Sequence, residues 1–427
     1  MTATVASSAS ILKTKYTQPK VYWEAYEDNP LFAEIRKDTT FDGNNKVIAI
    51  QTEAPIGGGF SIAQAQSNLG PGLYKNFLLT RIEDFGVARI KGQALKAAAK
   101  STGALLDLWS REMDGIILHV TRSAAINMLR TGTGSRGVVS TATTNSGASG
   151  TVGPGTLYLP LATVQDISNF YVGMQVQASA ADGGTLRNGG TFQTVTKVNR
   201  VTGLLTAATN WSAAIGGLAT GDYLYRNGDG ANGGTYLMVS GFQGWVPPLA
   251  SRPVTTATWF TLDRTSDETR LAGLYLDGTN TPMQEVLVEA VAMAEVEGAK
   301  ITKIAMHPRD RANYAKELGA KVQYVKTPTR IPGSTASVGF KEMETTIGDT
   351  DVLITADINV PRYTCLVTQW DTWAFESLGP APQILDFDSN EFLRVNNDDS
   401  YEVRVGYYAN ISNGAPAYSV WISNFGL

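Results

Sequence analysis

The sequence predicts an α+β protein made of unlike parts joined in series: an arm, a long two-stranded excursion, a long helix, a β-rich insertion and an α/β body. Three observations predict it. Residues 46–92 hold two strand-length segments with apolar side chains on both faces, separated by a glycine- and proline-rich stretch. The segment after them, free of proline, carries apolar residues at helical spacing. Between Thr131 and Gly228 charge almost disappears, leaving Arg136, Asp166, Asp182, Arg187, Lys197, Arg200, Asp222 and Arg226 among short β-type segments.

Residues 1–45 read as a mostly irregular arm. Its small polar start gives way to Tyr22, Trp23, Tyr26 and Phe32 with no clean period. Such aromatics either pack on their own domain or lie on a neighbour. The excursion of 46–92 runs out through "KVIAIQTE" and returns through "FLLTRIEDFGVARIKG". Phe77, Leu79, Arg81, Glu83 and Phe85 fall on one face of the return strand, and Leu78, Thr80, Ile82 and Asp84 on the other. A ribbon with two such faces is barely stable alone, and an arm of this kind reaches about 30 Å. The glycines and prolines between the arms exclude regular structure there.

The helix spans 93–130. Leu105, Trp109, Met113, Ile116, Ile117, Val120 and Ala124 form its apolar stripe, while Asp107, Arg111, Glu112, Asp114 and Arg122 lie opposite. From Ala104 to Leu129 it covers about 39 Å. Residues 131–245 form the insertion, a small β-barrel or sandwich with strand candidates such as "YVGMQVQAS", "GTFQTVTKVNR" and "TYLMVSGF". An α/β part follows over 246–360. There, Thr281, Pro282 and Gln284 predict a capped helix start, and Met283, Val286, Leu287, Ala290, Val291 and Ala294 its buried face. A buried strand "ITKIAMHP" and a helix from Pro308 come next. Residues 361–427 are β-rich, with "TCLVTQWDTWAFES", "YEVRVGYYANISN" and "AYSVWISNF" as strands.

The chain of 427 residues has a net charge of −4, which argues against a surface built to grip nucleic acid but allows one that encloses it. Cys365 is the single cysteine, so an intrachain disulfide is excluded and a reducing compartment is expected. The N-terminal stretch has no basic segment leading into an apolar run, so no secretory signal is expected, and no apolar run is long enough to span a membrane. Constellations for chemistry are scarce. His119, His307 and Cys365 cannot assemble a His/Cys metal cluster, and no cofactor is expected. Cys365 sits in what reads as a core strand. "GTGSRG" at 132–137 follows a helix and not a strand, which removes the dinucleotide-loop reading. The acidic run from Asp386 to Glu402 has no calcium-loop pattern and reads as a solvated or charge-pairing face.

In this order of parts the sequence resembles the major capsid proteins of tailed double-stranded DNA bacteriophages, the Hong Kong ninety-seven-like fold that encapsulins share. "LYKNFLLTRIEDFGVARIKG" corresponds to the family's extended loop, and residues 93–130 to its spine helix. "MQEVLVEAVAMAEVEGAKITKIAMHPRDRANYAKELG" corresponds to the core of the axial domain, and "YEVRVGYYANISNGAPAYSVWISNF" to the β-rich ending. The resemblance implies peripheral and axial domains, with 361–427 shared between them. It also implies a non-enzymatic subunit that assembles through hexamers and pentamers into an icosahedral shell in the host cytoplasm. That shell encloses double-stranded DNA without sequence-specific binding. Scaffolding, portal and decoration proteins are the implied partners, and no membrane is involved. The expected intersubunit contacts are Trp23, Tyr26, Arg81, Glu83, Asp84, Arg89, Lys91, Asp386, Asp388 and Glu391, with the loop charges paired on a neighbouring copy. Two alternatives are a β-rich tail-associated adhesin that binds glycan, resting on 131–245, and an encapsulin-type nanocompartment shell.

Overall fold

The computed structural model describes residues 29–93, 108–141, 152–234, 236–254, 258–318, 343–347, 350–385 and 393–427. Its first strands are β1 (Arg36–Asp38), β2 (Asn45–Glu53), β3 (Leu73–Thr80) and β4 (Ile82–Lys91). The insertion holds β5 (Ser135–Val138), β6 (Tyr158–Pro160), β7 (Gln175–Ser179), β8 (Gln193–Asn199), β9 (Leu204–Ala207) and β10 (Tyr223–Arg226). After it come β11 (Thr258–Trp259), β12 (Leu262–Asp263), β13 (Leu274–Asp277), β14 (Lys303–Met306), β15 (Met343–Ile347) and β16 (Thr350–Ala356). The ending supplies β17 (Cys365–Thr368), β18 (Trp373–Ser377), β19 (Gln383–Ile384), β20 (Leu393–Arg394), β21 (Ser400–Asn413) and β22 (Ser419–Ser423). The helices that matter are α1 (Pro30–Glu34), α2 (Ile62–Ser67), α3 (Leu108–Met128), α4 (Met283–Val296) and α5 (Pro308–Leu318).

Two sheets organise the body. The first runs β1-β18-β21-β19, with β4 and β20 also paired to β21. The second runs β13-β22-β17-β14-β16-β15, packed with α4 and α5. The stretch read as one strand, "TCLVTQWDTWAFES", is broken by the turn Trp370–Thr372, and its halves enter different sheets. The ending is shared in the same way, since β21 belongs to the first sheet and β22 to the second.

The return arm of the excursion is also divided. Only β3 pairs with β2, whereas β4 pairs with β21 from Ile82↔Ala409 to Lys91↔Ser400. The reason is visible in the burial pattern. Phe77 and Leu79 are buried before the break, while Asp84, Gly86, Ala88 and Ile90 are buried after it. Because strand side chains alternate with period two, the buried parity changes at Arg81, where the chain leaves one ribbon and enters the other. The glycine-rich tip is not wholly irregular: Ser61 accepts a hydrogen bond from the Gln64 amide at 3.2 Å and starts α2.

Helix α3 lies on β4 and β21. Val120, Ala124, Ala125 and Met128 enter the main core, with Met113, Ile116 and Ile117 packed against it. Side chains of this size contribute about 1.5–3 kcal/mol each on full burial. Gly86 makes the approach possible, because a Cβ there would stand 2.6 Å from Ile116 and 2.7 Å from Val120. The expected residues 93–107 of the helix and the Trp109 side chain fall outside the described residues, apart from Gln93 itself.

The insertion is a closed barrel. Its order is β5-β10-β7-β8-β9-β6, and a bridge between Val139 and Leu161 joins the two ends. The Ser140 amide donates to the Pro160 carbonyl at 2.9 Å, and the Ala162 amide to Val138 at 2.8 Å. Leu159, Met174, Val176, Leu205, Trp211 and Leu224 fill its own core. The insertion is narrower than 131–245, because Phe242 and Trp245 belong to the core of the body, where Trp245 Nε1 donates to Ile411. "TYLMVSGF" is not a strand; its end, Phe242, begins a short helical turn.

All six residues expected on the inner face of α4 are buried. Its cap differs from the expected box. The Thr281 hydroxyl donates instead to the Thr279 carbonyl, and the Glu317 carboxylate from α5 accepts from the Met283 amide at 3.2 Å and the Gln284 amide at 3.4 Å. A carboxylate is favoured at that end by the helix dipole.

Candidate assembly surfaces

The loop ribbon is anchored at its base and bare at its tip. Lys46 bridges Asp38 at 2.9 Å and Glu376 at 2.5 Å, tying β2 to the first sheet. Arg81 donates to the Phe41 carbonyl at 2.9 Å and lies over the Phe41 ring. The Leu78 amide donates to Phe260 at 3.0 Å. Beyond these ties the apolar residues of the tip have no cover among the described residues: Phe60 is 95% exposed, Ile62 79% and Leu69 73%. Isolated exposed apolar residues are ordinary, but a cluster of this kind marks an interaction site.

A second bare strip lies on the outer face of β4, away from α3. Phe85 is 43% exposed and Val87 49%. The Phe85 ring meets Tyr408 edge-on at 5.7 Å. It lies across Gly406, its register partner, where a Cβ would come within 2.4 Å of the ring.

The loop charges expected to pair on a neighbour are mostly engaged within the chain. Arg81 has Phe41. Arg89 pairs with Glu402 at 2.8 Å, and Arg404 reaches the same carboxylate at 2.6 Å; those hydrogen bonds hold the Glu402 carboxyl below the usual carboxylate range. Asp84 is buried and pairs with Arg226 of the barrel at 2.9 Å. The physical reason is the parity change: it turns Asp84 inward under α3, and the pairing of β4 with β21 sets Arg89 opposite Glu402. Glu83 is exposed, and neither it nor Lys91 has an ion pair among the described residues. Trp23, Tyr26, Asp386, Asp388 and Glu391 lie outside the described residues.

Sequence reasoning missed the joint that seats the barrel on the body. Arg226 at the end of β10 binds Asp84 and Asp229, each at 2.9 Å, and Arg136 binds Asp229 at 3.2 Å. Arg130 binds Asp166 at 2.7 Å, and Arg122 of α3 donates to the Ser168 carbonyl. His119 stands 3.2 Å from Arg226 and edge-on to Tyr171 at 5.4 Å. A guanidinium only donates, so the facing imidazole nitrogen accepts and the ring is neutral. Burial first, and then the neighbouring Arg226 and Arg136, lower its pKa to about 4. Buried charges of this kind are tolerated only when paired. The faint signal in the sequence was that the few charges of a nearly uncharged insertion include residues next to its ends, Arg130, Arg136, Arg226 and Asp229.

No catalytic arrangement emerges among the described residues. Cys365 is fully buried, and burial pushes its thiol well above the ordinary value. No group of three or more potential ligands from His, Cys, Asp and Glu is placed to hold a metal, and no helix is long and apolar enough to cross a membrane, among the described residues.

No family model and no curated protein matches the sequence. The fold does find counterparts. The chain is similar to the Cyanophage A-1(L) capsid asymmetric unit, with a TM-score of 0.51 and 10% identity over 97% of this chain and 96% of that one. Weaker likenesses extend to the capsid of a native GTA particle, at 0.46 and 10% identity over 99% and 98% of the two chains. An encapsulin complex from Synechococcus elongatus PCC 7942 stands at 0.46 and 8% identity over 99% and 96%. The first comparison defines the class: this is an α+β protein with the fold of phage capsid subunits. Within that class it has the Hong Kong ninety-seven-like fold, carrying a closed six-stranded barrel between the long helix and the second sheet.

Proposed function

We propose that the chain is the structural subunit of an icosahedral virion shell, assembled from hexamers and pentamers around double-stranded DNA in the host cytoplasm. The observation that supports this most directly is the bare apolar tip of the loop, Phe60, Ile62 and Leu69, on a chain with a capsid fold. A surface that one copy leaves exposed is one that another copy covers, and permanent contacts of this type bury about 2,000–5,000 Å². The strip of Phe85 and Val87 is a second surface of the same kind. Trp23, Tyr26, Glu83, Lys91, Asp386, Asp388 and Glu391 remain proposed contacts between copies. The net charge of −4 suits a container that holds DNA without gripping it. Scaffolding, portal and decoration proteins are proposed partners.

The test is the mass and shape of the purified protein, by light scattering and negative-stain imaging, expressed alone and with the neighbouring structural genes of its source. Closed megadalton particles are the expected result. A monomer or trimer under both conditions would overturn the proposal in favour of the adhesin reading.

A further inference from the structure

The barrel meets the body through hydrogen-bonding side chains and without a common core. Among the described residues the apolar interior of the barrel and that of the body are separate clusters. The chain crosses between them twice, near 130–135 and 229–241, and the two connections run side by side. A Cβ on Gly132 would stand 2.9 Å from Ser240 Cα, and one on Gly134 2.5 Å from the Asp229 carbonyl oxygen. Both glycines have left-handed φ, +93° and +86°, where other residues are strained. A polar contact between two self-contained units, joined by paired connections with glycines, can open without unfolding either unit.

One side chain in this contact changes charge in the mildly acidic range. His119 of α3 faces the barrel, its ring edge-on to Tyr171 and one nitrogen 3.2 Å from the Arg226 guanidinium. The charged and titratable groups around it come from every packed element: Arg122 on α3, Asp84 on β4, Arg136 on β5, and Arg226 with Asp229 at the end of β10. Tyr407 of β21 is buried beside the same charges. Arg122 donates to the Ser168 carbonyl of the barrel, Arg136 to the Ser123 hydroxyl of α3 at 3.1 Å, and Arg226 bridges Asp84 to Asp229. Three guanidiniums thus act on one imidazole. Asp84, the carboxylate that favours its charged form, counts for less than Arg226 or Arg136.

Protonation converts the accepting nitrogen into a donor. The contact with Arg226 then sets N–H against N–H and cation against cation, across the boundary between α3 and β10. The same guanidinium carries the ties to Asp84 of the body and Asp229 of the barrel, so the repulsion falls on the residue that fastens the two units. Undocking relieves it, because a hydrated imidazolium no longer faces the three arginines. The pKa of the ring is about 4 in the joint, against an ordinary value of 6.5. Docking is therefore favoured in full above pH 6.5 and loses strength as pH falls toward 4.

We propose that the joint is an acid-operated hinge: protonated His119 drives Arg226 away from α3 and β4, and the folded barrel swings free of the folded body on its two connections. The hinge belongs to the single chain and works whether or not the chain forms shells. The experiment is thiol labelling of full-length Ser123→Cys protein with a pyridyl disulfide reagent, which reacts in acid. Each rate is divided by that of a model peptide thiol at the same pH. Ser123 is buried under Arg136 and is uncovered by undocking, whereas Cys365, fully buried in the core beneath α4 and α5, is uncovered only by unfolding. The relative rate at position 123 should rise about 100-fold between pH 7 and pH 4, with Cys365 unlabelled throughout. His119→Gln keeps an acceptor for Arg226 and cannot be charged, so it should hold the rise to a few-fold. His119→Asn serves the same purpose if labelling of Cys365 at pH 7 shows that the Gln variant does not fold. A flat profile in protein that retains His119 overturns the proposal. So does an equal rise in the neutral variants, which assigns the opening to other groups, or labelling of Cys365 in step with position 123, which marks global unfolding.

Discussion

The loop ribbon and the barrel are both excursions from one body, and they solve the problem of exposed strand edges in opposite ways. The barrel closes its sheet on itself through Val139 and Leu161 and fills the interior with its own side chains, Trp211 and Leu205 among them. Among the described residues the ribbon has two strands, an open edge along most of its length, and an uncovered apolar tip. Closure removes edges and makes a unit that stands by itself. A two-stranded ribbon is marginal alone and needs a partner surface. The difference teaches where each part finds its stability: the barrel inside itself, the ribbon at its base and, on the proposed function, on another copy.

The sharpest way to break the comparison is to remove the ribbon's tip. Replacing 56–72 with a short Gly-Ser turn should leave the thermal transition of the body nearly unchanged and abolish megadalton particles by light scattering. Normal shells from that variant would sink the assembly role of the tip. The matching cut in the barrel is Trp211→Ala, which removes a fully buried ring. It should destabilise the barrel by about 3–5 kcal/mol and separate its melting from that of the body in calorimetry. A single shared transition would show that the barrel is not self-sufficient.

A subtler test addresses the joint. Arg226→Gln strips the buried Asp84 of its cation and leaves Asp229 with Arg136 alone, and leaving a buried charge such as that of Asp84 unpaired costs about 3 kcal/mol. Faster proteolysis in the connections around 130–136 and 229–241, with the barrel itself intact, is the expected reading. The smallest effect is in pH. Folded His119 stays neutral down to about pH 4, whereas its ordinary value is 6.5. Between these values the unfolded chain binds a proton that the folded chain does not. Its contribution to stability is therefore complete above pH 6.5 and declines as pH falls toward 4. His307 has the same sign, and buried Asp357, raised to about 6, has the opposite one. Comparing melting temperatures of wild type and His119→Gln across that range isolates the joint: the variant should show the shallower fall, and parallel curves would contradict the role given to His119.

Much of this was legible in the chain. The stripe Met113, Ile116, Ile117, Val120 and Ala124 and the six buried residues of α4 follow from period alone, because burial on one side of a helix imposes that spacing whatever the neighbour is. The short strands and turns of the insertion announced a small β domain. Other features had no local signal. The change of buried parity at Arg81 was hidden because both faces of 77–91 carry apolar residues. The cap on α4 comes from Glu317, and 142 positions separate Arg226 from Asp84.

What the sequence determined by itself, then, is the series of parts: an arm, a ribbon that cannot bury itself, a long amphipathic helix, a β insertion and an α/β body. Local propensity and hydrophobic period are properties of neighbouring residues, and they are readable wherever neighbours are. Only the tertiary structure decided that Ile82 onward leaves the ribbon for the sheet, that the insertion closes into a barrel, and that Asp84 turns inward to Arg226 and not outward to another copy. Those outcomes depend on which distant strands pair and on which charges share a low-dielectric joint, and no window along the chain contains both partners.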